Sequence, residues 1–154
     1  ALADNKKGRY SLAPAIGKKR IDAYRSMLEI CNMGLENRLG QPVGSLSGGQ
    51  RQALALVIAG MTDIDILVLD EHTAALDPKS SERVMEITRK LVEERKVTTL
   101  MVTHNLRFAV QYGTRLVMMH AGQAVLDLKE EEKRAASVDV LLQKFNEISI
   151  ECGN

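Results

Sequence analysis

The sequence predicts an α/β domain built around parallel strands. Two short apolar runs, "ILVL" at 66–69 and "VTTLMVT" at 97–103, have the length of strands and are bounded by polar residues. Between them, Asp77-Pro78 marks the start of a helix, since Asp caps free amides and Pro fits the first turn. Strand, helix and strand in alternation favour a parallel sheet. We expect the first of these strands to be buried on both faces of the sheet.

Two helices are predicted before the first strand. From Lys18 to Met33, apolar residues recur at spacings of three and four, and Gly34 is a plausible stop. Residues 34–49 are rich in Gly and polar residues and predict a loop. The segment from Gln50 to Met61 is apolar nearly all round, so we expect this helix to be buried on most sides.

The remaining elements follow from local signals. The central helix has an inner stripe of Val84, Ile87 and Leu91. Asn105 can cap a short helix, and Ser137 can cap a last helix that runs through Phe145. The segments "RLVMMH" and "QAVLDL" flank Ala121-Gly122 and predict a hairpin.

Composition narrows the class of protein. The 154 residues are 45% hydrophobic and 27% charged, as in globular domains with a core. A net charge of +1 and 3% aromatic residues do not favour a nucleic-acid partner or a base-stacking platform. Cys31 and Cys152 match no metal-ligand spacing and suggest a reduced, intracellular chain with Cys31 in the core. We find neither a bilayer-spanning apolar run nor a signal-peptide pattern.

The segment "LVLDE" carries the first chemical signal. Carboxylates at the carboxyl end of a buried parallel strand lie where α/β proteins bind ligands. Asp70 can hold a hydrated Mg²⁺, and Glu71 can orient and deprotonate a water molecule. A strand that simply ends in acidic surface residues fits this short motif equally well.

The segment "LSGGQ" carries the second signal. Ser47, Gly48 and Gly49 precede a helix whose free amides and positive dipole end can bind an anion. On its own, the motif fits a flexible turn with a serine cap better. His104, after the second strand, can donate to a phosphate oxygen, although a lone histidine is more often structural. Asp77 can likewise have a purely structural role, as the cap of a helix.

The order of the motifs gives them a common meaning. Four segments follow one another along the chain: "LSGGQ" at 46–50, "ILVLDE" at 66–71, "AALD" at 74–77 and "THN" at 103–105. In this they resemble the ATP-binding-cassette (ABC) ATPases, in which the signature, the Walker B strand, the D-loop and the switch histidine occur in the same order. The resemblance extends from about Lys18 to Leu128, and the five-residue signature is intact.

The resemblance implies a role for each site residue. Ser47, Gly48 and Gly49, with Gln50 completing the signature, would contact ATP held by an opposite subunit. Asp77 would act at the same dimer interface. Asp70 would position Mg²⁺, Glu71 would be the catalytic base and His104 would sense the γ-phosphate.

Two features depart from the family pattern. His72 stands where the family usually has Pro after the acidic pair, and no G-x-x-x-x-G-K-[ST] occurs anywhere. The nearest segment, "IGKKR" at 16–20, lacks the first glycine and the final hydroxyl residue. The resemblance therefore implies that the chain is the carboxyl-terminal portion of an ABC ATPase. Its fold would be a partial P-loop NTPase (RecA-like) parallel sheet with the remnant of the ABC helical subdomain. We assign 1–61 to that subdomain, 62–128 to the catalytic core strands and 129–154 to a last helix and tail.

The implied function is that of a fragment of the ATPase subunit of a membrane transporter. Its cofactors would be ATP and Mg²⁺. Its partners would be a second ATPase subunit, in a head-to-tail dimer, and transmembrane permease subunits. It would lie at the cytoplasmic face of the plasma membrane. The fragment alone would be inactive. Two alternatives stay open: a soluble ABC ATPase acting on DNA or the ribosome, although no sustained heptads appear, and a partner chain that does not hydrolyse ATP.

The missing part of the sheet implies a further property. The strand at 97–103 should pair with the strand at 66–69 and expose an apolar edge and face that the absent segment would cover. We therefore expect the fragment to self-associate, by edge pairing or by exchange of an element.

Overall fold

The structure is a computed structural model that describes residues 17–151. Within that range, helices and strands alternate through most of the chain. In chain order they are α1 Lys18–Glu29, α2 Gly48–Gly60, β1 Ile66–Asp70, α3 Pro78–Arg95, β2 Thr98–Val102, α4 Leu106–Gln111, β3 Arg115–His120, β4 Gln123–Lys129, α5 Glu130–Ala135 and α6 Val138–Glu151. Short 3₁₀ turns at Leu35–Asn37 and Val43–Ser45 lie in the predicted loop before α2.

The chain divides into two compact units. Among the described residues, the first comprises 17–67 together with 75–98, and so contains α1, α2 and α3. The second comprises 68–74 and 99–151, which contain most of β1 and β2 and every later element.

In the first unit, α2 packs against α3 and α1 packs against α2. The core side chains are Leu28, Cys31, Leu35, Leu46, Ala53, Leu56, Val84, Met85, Ile87 and Val97. The predicted burial of Cys31 is confirmed, and burial raises the pKa of its thiol. Helix α1 ends four residues earlier than expected, because the chain turns through left-handed conformations at Asn32 (φ 49°) and Gly34 (φ 73°).

The expectation that α2 is buried on most sides is wrong. Its side chains at Ala53 and Leu56 are buried, but Ala55 is exposed and Ile58 is 48% exposed. The reason is that α3 and α1 cover only part of its circumference. The helix also begins at Gly48, two residues before the apolar run, because Ser47 caps it there.

The second unit contains two two-stranded sheets, β1–β2 and β3–β4. The pairing of β1 with β2 is parallel, as expected from the crossover through α3. The predicted hairpin is confirmed: β3 and β4 are antiparallel around Ala121 (φ 46°) and Gly122 (φ 79°). Apolar contacts in this unit come from α4, which packs against α6, and the buried side chains are Leu69, Phe108, Leu116, Leu141 and Ile148.

The expectation that β1 is buried on both faces is also wrong. Leu69 is buried, whereas Ile66 and Val68 of β1 are 62% and 61% exposed. In β2, Leu100 and Val102 are 59% and 47% exposed. The described elements therefore cover one face of these strands and leave the other uncovered, as the sequence predicted for a sheet that lacks a segment.

The three predicted helix caps are present. The side chains of Asp77, Asn105 and Ser137 accept hydrogen bonds from the backbone N–H of the third residue beyond each. Helix α6 continues past Phe145 to Glu151. The charged segment after β4 forms α5, whose buried Lys133 donates through Nζ to the Val110 carbonyl near the end of α4. Burial lowers the pKa of Lys133. Cys152 and the start of "IGKKR" lie outside the described residues.

Gly49 is the point at which the start of α2 lies closest to α3, and its replacement should destabilise the first unit. A Cβ at Gly49 would lie 2.9 Å from the Ser80 Cβ and 3.2 Å from the Met33 Cε. Ala gains about 1 kcal/mol of helix propensity, but overpacking costs about 1–3 kcal/mol, so Gly49→Ala should lower the free energy of unfolding. Denaturant unfolding measures this change.

Gly44 provides the matched control, since a Cβ there meets nothing within 4 Å. Gly44→Ala should leave stability nearly unchanged. Equal unfolding free energies for the two variants would show that the α2–α3 contact is looser than described.

Candidate functional site

The first group of site residues lies where β1 ends. Glu71 follows the strand in the left-handed conformation, with φ of 43°, which a non-glycine residue adopts only when its surroundings hold it there. Its N–H donates to the Val102 carbonyl of β2 at 3.0 Å, and its carbonyl accepts from the Ala74 N–H at 2.9 Å. These bonds turn Glu71 out of the strand and tie it to the end of β2.

His104 approaches Glu71 from the end of β2. Its Nδ1 lies 3.3 Å from Oε1 of Glu71. The chain around it is held by two bonds, since the Asn105 N–H donates to Oγ1 of Thr103 at 3.1 Å and Asn105 in turn caps α4. Parallel strands place their carboxyl ends at the same edge, and this is why residues 33 positions apart meet.

The pair can take part in proton transfer because both side chains are open to solvent. His104 is 67% exposed and Glu71 is 52% exposed. One carboxylate oxygen of Glu71 lies against Nδ1 of His104, and the second oxygen can accept a proton from water. An exposed pair of this kind contributes little to stability, so its geometry matters more for chemistry than for folding.

Asp70, the last residue of β1, presents an exposed carboxylate beside this pair. Within residues 17–151, no group of three or more His, Cys, Asp or Glu side chains is arranged to hold a metal ion. A cation at Asp70 would therefore need further ligands from water or phosphate, which is the usual situation for Mg²⁺.

His72, the residue that replaces the expected Pro, is half-buried. Burial lowers the pKa of its imidazole, so the neutral ring is favoured. The neighbouring Thr73 is buried as well. The turn after the acidic pair thus packs inward with His72 in place, and both carboxylates remain at the surface.

The second group of site residues lies in the first unit, at the start of α2. Ser47 and Gln50 form a reciprocal capping box: Oγ of Ser47 accepts from the Gln50 N–H at 3.3 Å, and Oε1 of Gln50 accepts from the Ser47 N–H at 3.0 Å. The Gln50 Nε2 donates to the Met33 carbonyl at 2.9 Å. Gln50 therefore uses both ends of its amide to fix the loop, while the exposed Ser47 hydroxyl keeps its own proton to donate.

The start of α3 lies beside the start of α2. A Cβ at Gly48 would lie 3.0 Å from Cδ2 of Leu76, in the turn that leads to Asp77. Two helix amino termini are therefore adjacent, each capped by its own side chain. Their N–H groups and dipoles favour an anion nearby.

The structure brings the predicted residues together in two sets. Asp70, Glu71 and His104 share the second unit, and the first unit holds Ser47, Gly48, Gly49, Gln50 and Asp77. Sequence reasoning missed the structural role of Gln50, although Ser followed three residues later by Gln is a capping-box pattern that could have indicated it. It also missed the half-buried His72.

Comparison with known proteins gives these motifs a family. The sequence model of a family described as "ABC transporter" matches residues 3–74. The chain is 51% identical over 119 residues to a tyrosine transport ATP-binding protein of Clostridioides difficile, a match that covers 77% of this chain and 47% of that protein. It is 42% identical over 87 residues to an energy-coupling factor transporter ATP-binding protein of Bacillus cereus, covering 56% of this chain and 30% of the relative.

The fold agrees with that result. The ADP conformation of MJ1267, an ATP-binding cassette of an ABC transporter, superposes with a TM-score of 0.68 at 23% identity, over 94% of this chain and 54% of that one. These matches support an ABC transporter ATPase fragment. Its fold is that of part of a P-loop NTPase. This chain spans about half the length of the Clostridioides difficile relative and of the MJ1267 cassette. None of the described helices is long and apolar enough to cross a membrane.

Asp77 should make the free energy of unfolding depend on pH. Hydrogen bonds from the Ser80 side chain and backbone hold the pKa of the Asp77 carboxyl below its ordinary value. A lowered native pKa stabilises the fold above the unfolded-state pKa, and this contribution is lost as the pH falls through the native pKa.

Asp77→Asn is the sharpest probe, because Asn caps a helix about as well but does not titrate. We expect the thermal unfolding temperature of the unsubstituted chain to exceed that of Asp77→Asn at neutral pH, and the difference to shrink in strong acid. A difference that stays constant over the whole range would show that the charge of Asp77 does not stabilise α3.

Proposed function

We propose that this chain supplies the signature loop and the catalytic carboxylates of the ATP-hydrolysing subunit of an ABC membrane transporter, which couples hydrolysis to transport. The observation that carries the proposal is the contact between Glu71 and His104 at the carboxyl ends of paired parallel strands. The names of the relatives, which are ATP-binding proteins of transporters, favour this function over a soluble ABC ATPase acting on DNA or the ribosome.

Glu71 is the proposed general base. Its backbone is fixed by the bond to Val102, so its carboxylate stays at the strand end while one oxygen faces the solvent. His104 orients that carboxylate through Nδ1 and presents its second ring nitrogen to a phosphate group. Asp70 would hold Mg²⁺, which supplies charge neutralisation for the phosphates when bound.

The signature loop would act on the nucleotide of a second subunit. Ser47 donates from its exposed hydroxyl, and the N–H groups of Gly48 and Gly49 at the start of α2 favour the negative charge of a γ-phosphate. Gln50 shapes the loop from within. Asp77, at the adjacent helix start, would contact the partner across the same interface.

The rest of the nucleotide site must come from elsewhere. The sequence contains no phosphate-binding G-x-x-x-x-G-K-[ST] loop, whose backbone amides and lysine normally bind the phosphates. We therefore propose that the 154 residues alone do not hydrolyse ATP. The working form would be a head-to-tail dimer of complete ATPase subunits, bound to transmembrane permease subunits at the cytoplasmic face of the membrane.

We propose further that the isolated chain self-associates weakly at high concentration. The uncovered side chains of β1 and β2 support this, because exposed apolar strands favour pairing with another chain. Sedimentation at increasing concentration measures it, and a strictly monomeric profile would exclude it.

Glu71→Gln tests the base. In an ATPase domain completed with the amino-terminal half of a relative, Gln keeps the shape of the side chain beside His104 but cannot accept the proton. We expect the hydrolysis rate to fall by about 10²–10⁴-fold while ATP still binds.

A second glutamate with left-handed backbone provides the control. Glu130, with φ of 45°, is the exposed first residue of α5, so Glu130→Gln removes a carboxylate in the same conformation away from β1. Hydrolysis should be unchanged in that variant. Near-normal turnover in Glu71→Gln would mean that another group acts as the base.

Ser47→Arg tests the signature loop in the same completed domain. Its bulk and charge should prevent ATP-driven dimerisation, whereas His104→Ala should permit the dimer and slow hydrolysis. Gel filtration with ATP, together with phosphate release, separates the two effects.

Ser45→Arg is the control for size and charge. Ser45 lies two residues earlier in the same loop, is exposed, and donates only to the Pro42 carbonyl. It should dimerise normally. An intact dimer in Ser47→Arg would exclude the proposed contact across the interface.

A further inference from the structure

An open cavity in the second unit contains none of the residues proposed to act on ATP. Its volume is about 670 Å³, and it is formed by the end of α4, the turn that follows, the start of β3, the end of β4 and α5. The cationic side chains of Arg115, Lys129, Lys133 and Arg134 line it, together with the acidic side chain of Glu130. We call it the basic cavity.

The basic cavity concentrates positive charge. Asp127 pairs with Arg115 through two hydrogen bonds of 2.8 Å and 2.7 Å, and the same carboxylate lies 3.7 Å from the Lys129 Nζ. With Asp127 included, four positive groups and two negative groups leave a formal charge of +2, whereas the whole chain carries +1. A concave surface lined mainly by one sign of charge attracts ligands of the other sign.

Lys133 is the unusual member of this set, because it is only 5% exposed. Its Nζ donates to the Val110 carbonyl, which is a neutral acceptor. Among residues 17–151, no carboxylate lies within ion-pair distance of this ammonium group, and burial lowers its pKa. A buried charge is costly unless a charge of opposite sign accompanies it, so Lys133 favours an anion in the basic cavity.

Arg134 supplies a second cation that is available to a ligand. Its side chain is exposed, and within the described part of the chain no carboxylate lies within ion-pair distance of it. The planar guanidinium group binds phosphate through parallel hydrogen bonds. Two cations without carboxylate partners and a surplus of two charges match a phosphoryl group, which carries nearly two negative charges, better than a single carboxylate. We propose that the basic cavity binds the phosphoryl group of a small molecule.

The size of the cavity admits either free phosphate or an organic phosphate. Small-molecule sites commonly have volumes of about 300–1,000 Å³. The uncharged side chains of Gln111 and Thr114 also line the cavity and can form hydrogen bonds with the rest of a larger ligand. A ligand there would contact α4, the β3–β4 hairpin and α5 together, so its binding should stabilise the second unit.

Thermal unfolding of the 154-residue chain in increasing inorganic phosphate tests the proposal, with sodium chloride at matched ionic strength as the comparison. We expect phosphate to raise the unfolding temperature and the effect to saturate. The dissociation constant should be on the order of millimolar, since so small a ligand makes few contacts. Glycerol phosphate replaces phosphate in a second titration. A lower dissociation constant for it would support an organic phosphate as the ligand, and equal constants would support free phosphate.

Two substitutions remove the proposed contacts. Lys133→Met keeps the length and the apolar stem of the side chain but removes the charge. Arg134→Gln alters an exposed side chain, so the variant should fold even if Lys133→Met does not. Each should raise the dissociation constant for phosphate by about tenfold or more, because each loses a hydrogen bond between charged groups.

Arg107→Gln is the matched control. Arg107 is exposed and belongs to the second unit, but it is not part of the cavity lining. The substitution removes the same charge as Arg134→Gln, and we expect phosphate to bind this variant as it binds the unsubstituted chain. Equal weakening in both arginine variants would show that phosphate responds to net charge rather than to the basic cavity.

The proposal would also be overturned if phosphate raised the unfolding temperature no more than chloride does. Unchanged affinity in Lys133→Met and Arg134→Gln would overturn it as well. The test uses neither nucleotide nor hydrolysis. The proposed roles of Glu71 and His104 therefore stand or fall separately from phosphate binding in the basic cavity.

Discussion

The parallel pairing of β1 with β2 is the constraint on which the proposed catalytic pair, Glu71 and His104, depends. It brings the Glu71 N–H to the Val102 carbonyl, at 3.0 Å, and so holds Glu71 in a conformation that is unfavourable by about 1–3 kcal/mol for a residue with a side chain. The same pairing sets His104 at 3.3 Å from the Glu71 carboxylate. Residues far apart in sequence come into contact because two strands end at the same edge.

In the first unit, side-chain caps satisfy backbone N–H groups at the starts of α2 and α3. Ser47 and Gln50 satisfy each other's amides, and Asp77 caps the neighbouring helix. Gly49 permits this arrangement, because any side chain there would meet Ser80. Gly49 of the signature is thus required for packing between α2 and α3, in addition to any contact with a phosphate.

Much of the fold could be predicted from the sequence, because its signals are local. The caps at Asp77 and Asn105 and the hairpin at Gly122 each depend on a few neighbouring residues, and all are present. The burial of Cys31 could be predicted, but the extent of burial of α2 and β1 could not, because it depends on which elements cover which face. Hydrophobic runs indicated burial of α2 on most sides and of β1 on both faces, yet Ile58 and Val68 are exposed in this chain. At the site, the motifs predicted where the carboxylates lie, but the left-handed turn at Glu71 and the half-buried His72 arise from tertiary contacts that no short motif specifies.

The central claim is that this chain contributes the carboxylates and the signature loop, while the groups that bind its own nucleotide lie in the other half of the domain. Calorimetric titration of the purified chain with ATP and Mg²⁺ tests that division most directly. A chain that lacks the phosphate-binding loop should release no binding heat at micromolar ATP, because the many amides and the lysine of that loop supply most of the phosphate contacts. Saturable binding with a micromolar dissociation constant would contradict the account and would place a complete nucleotide site within these residues.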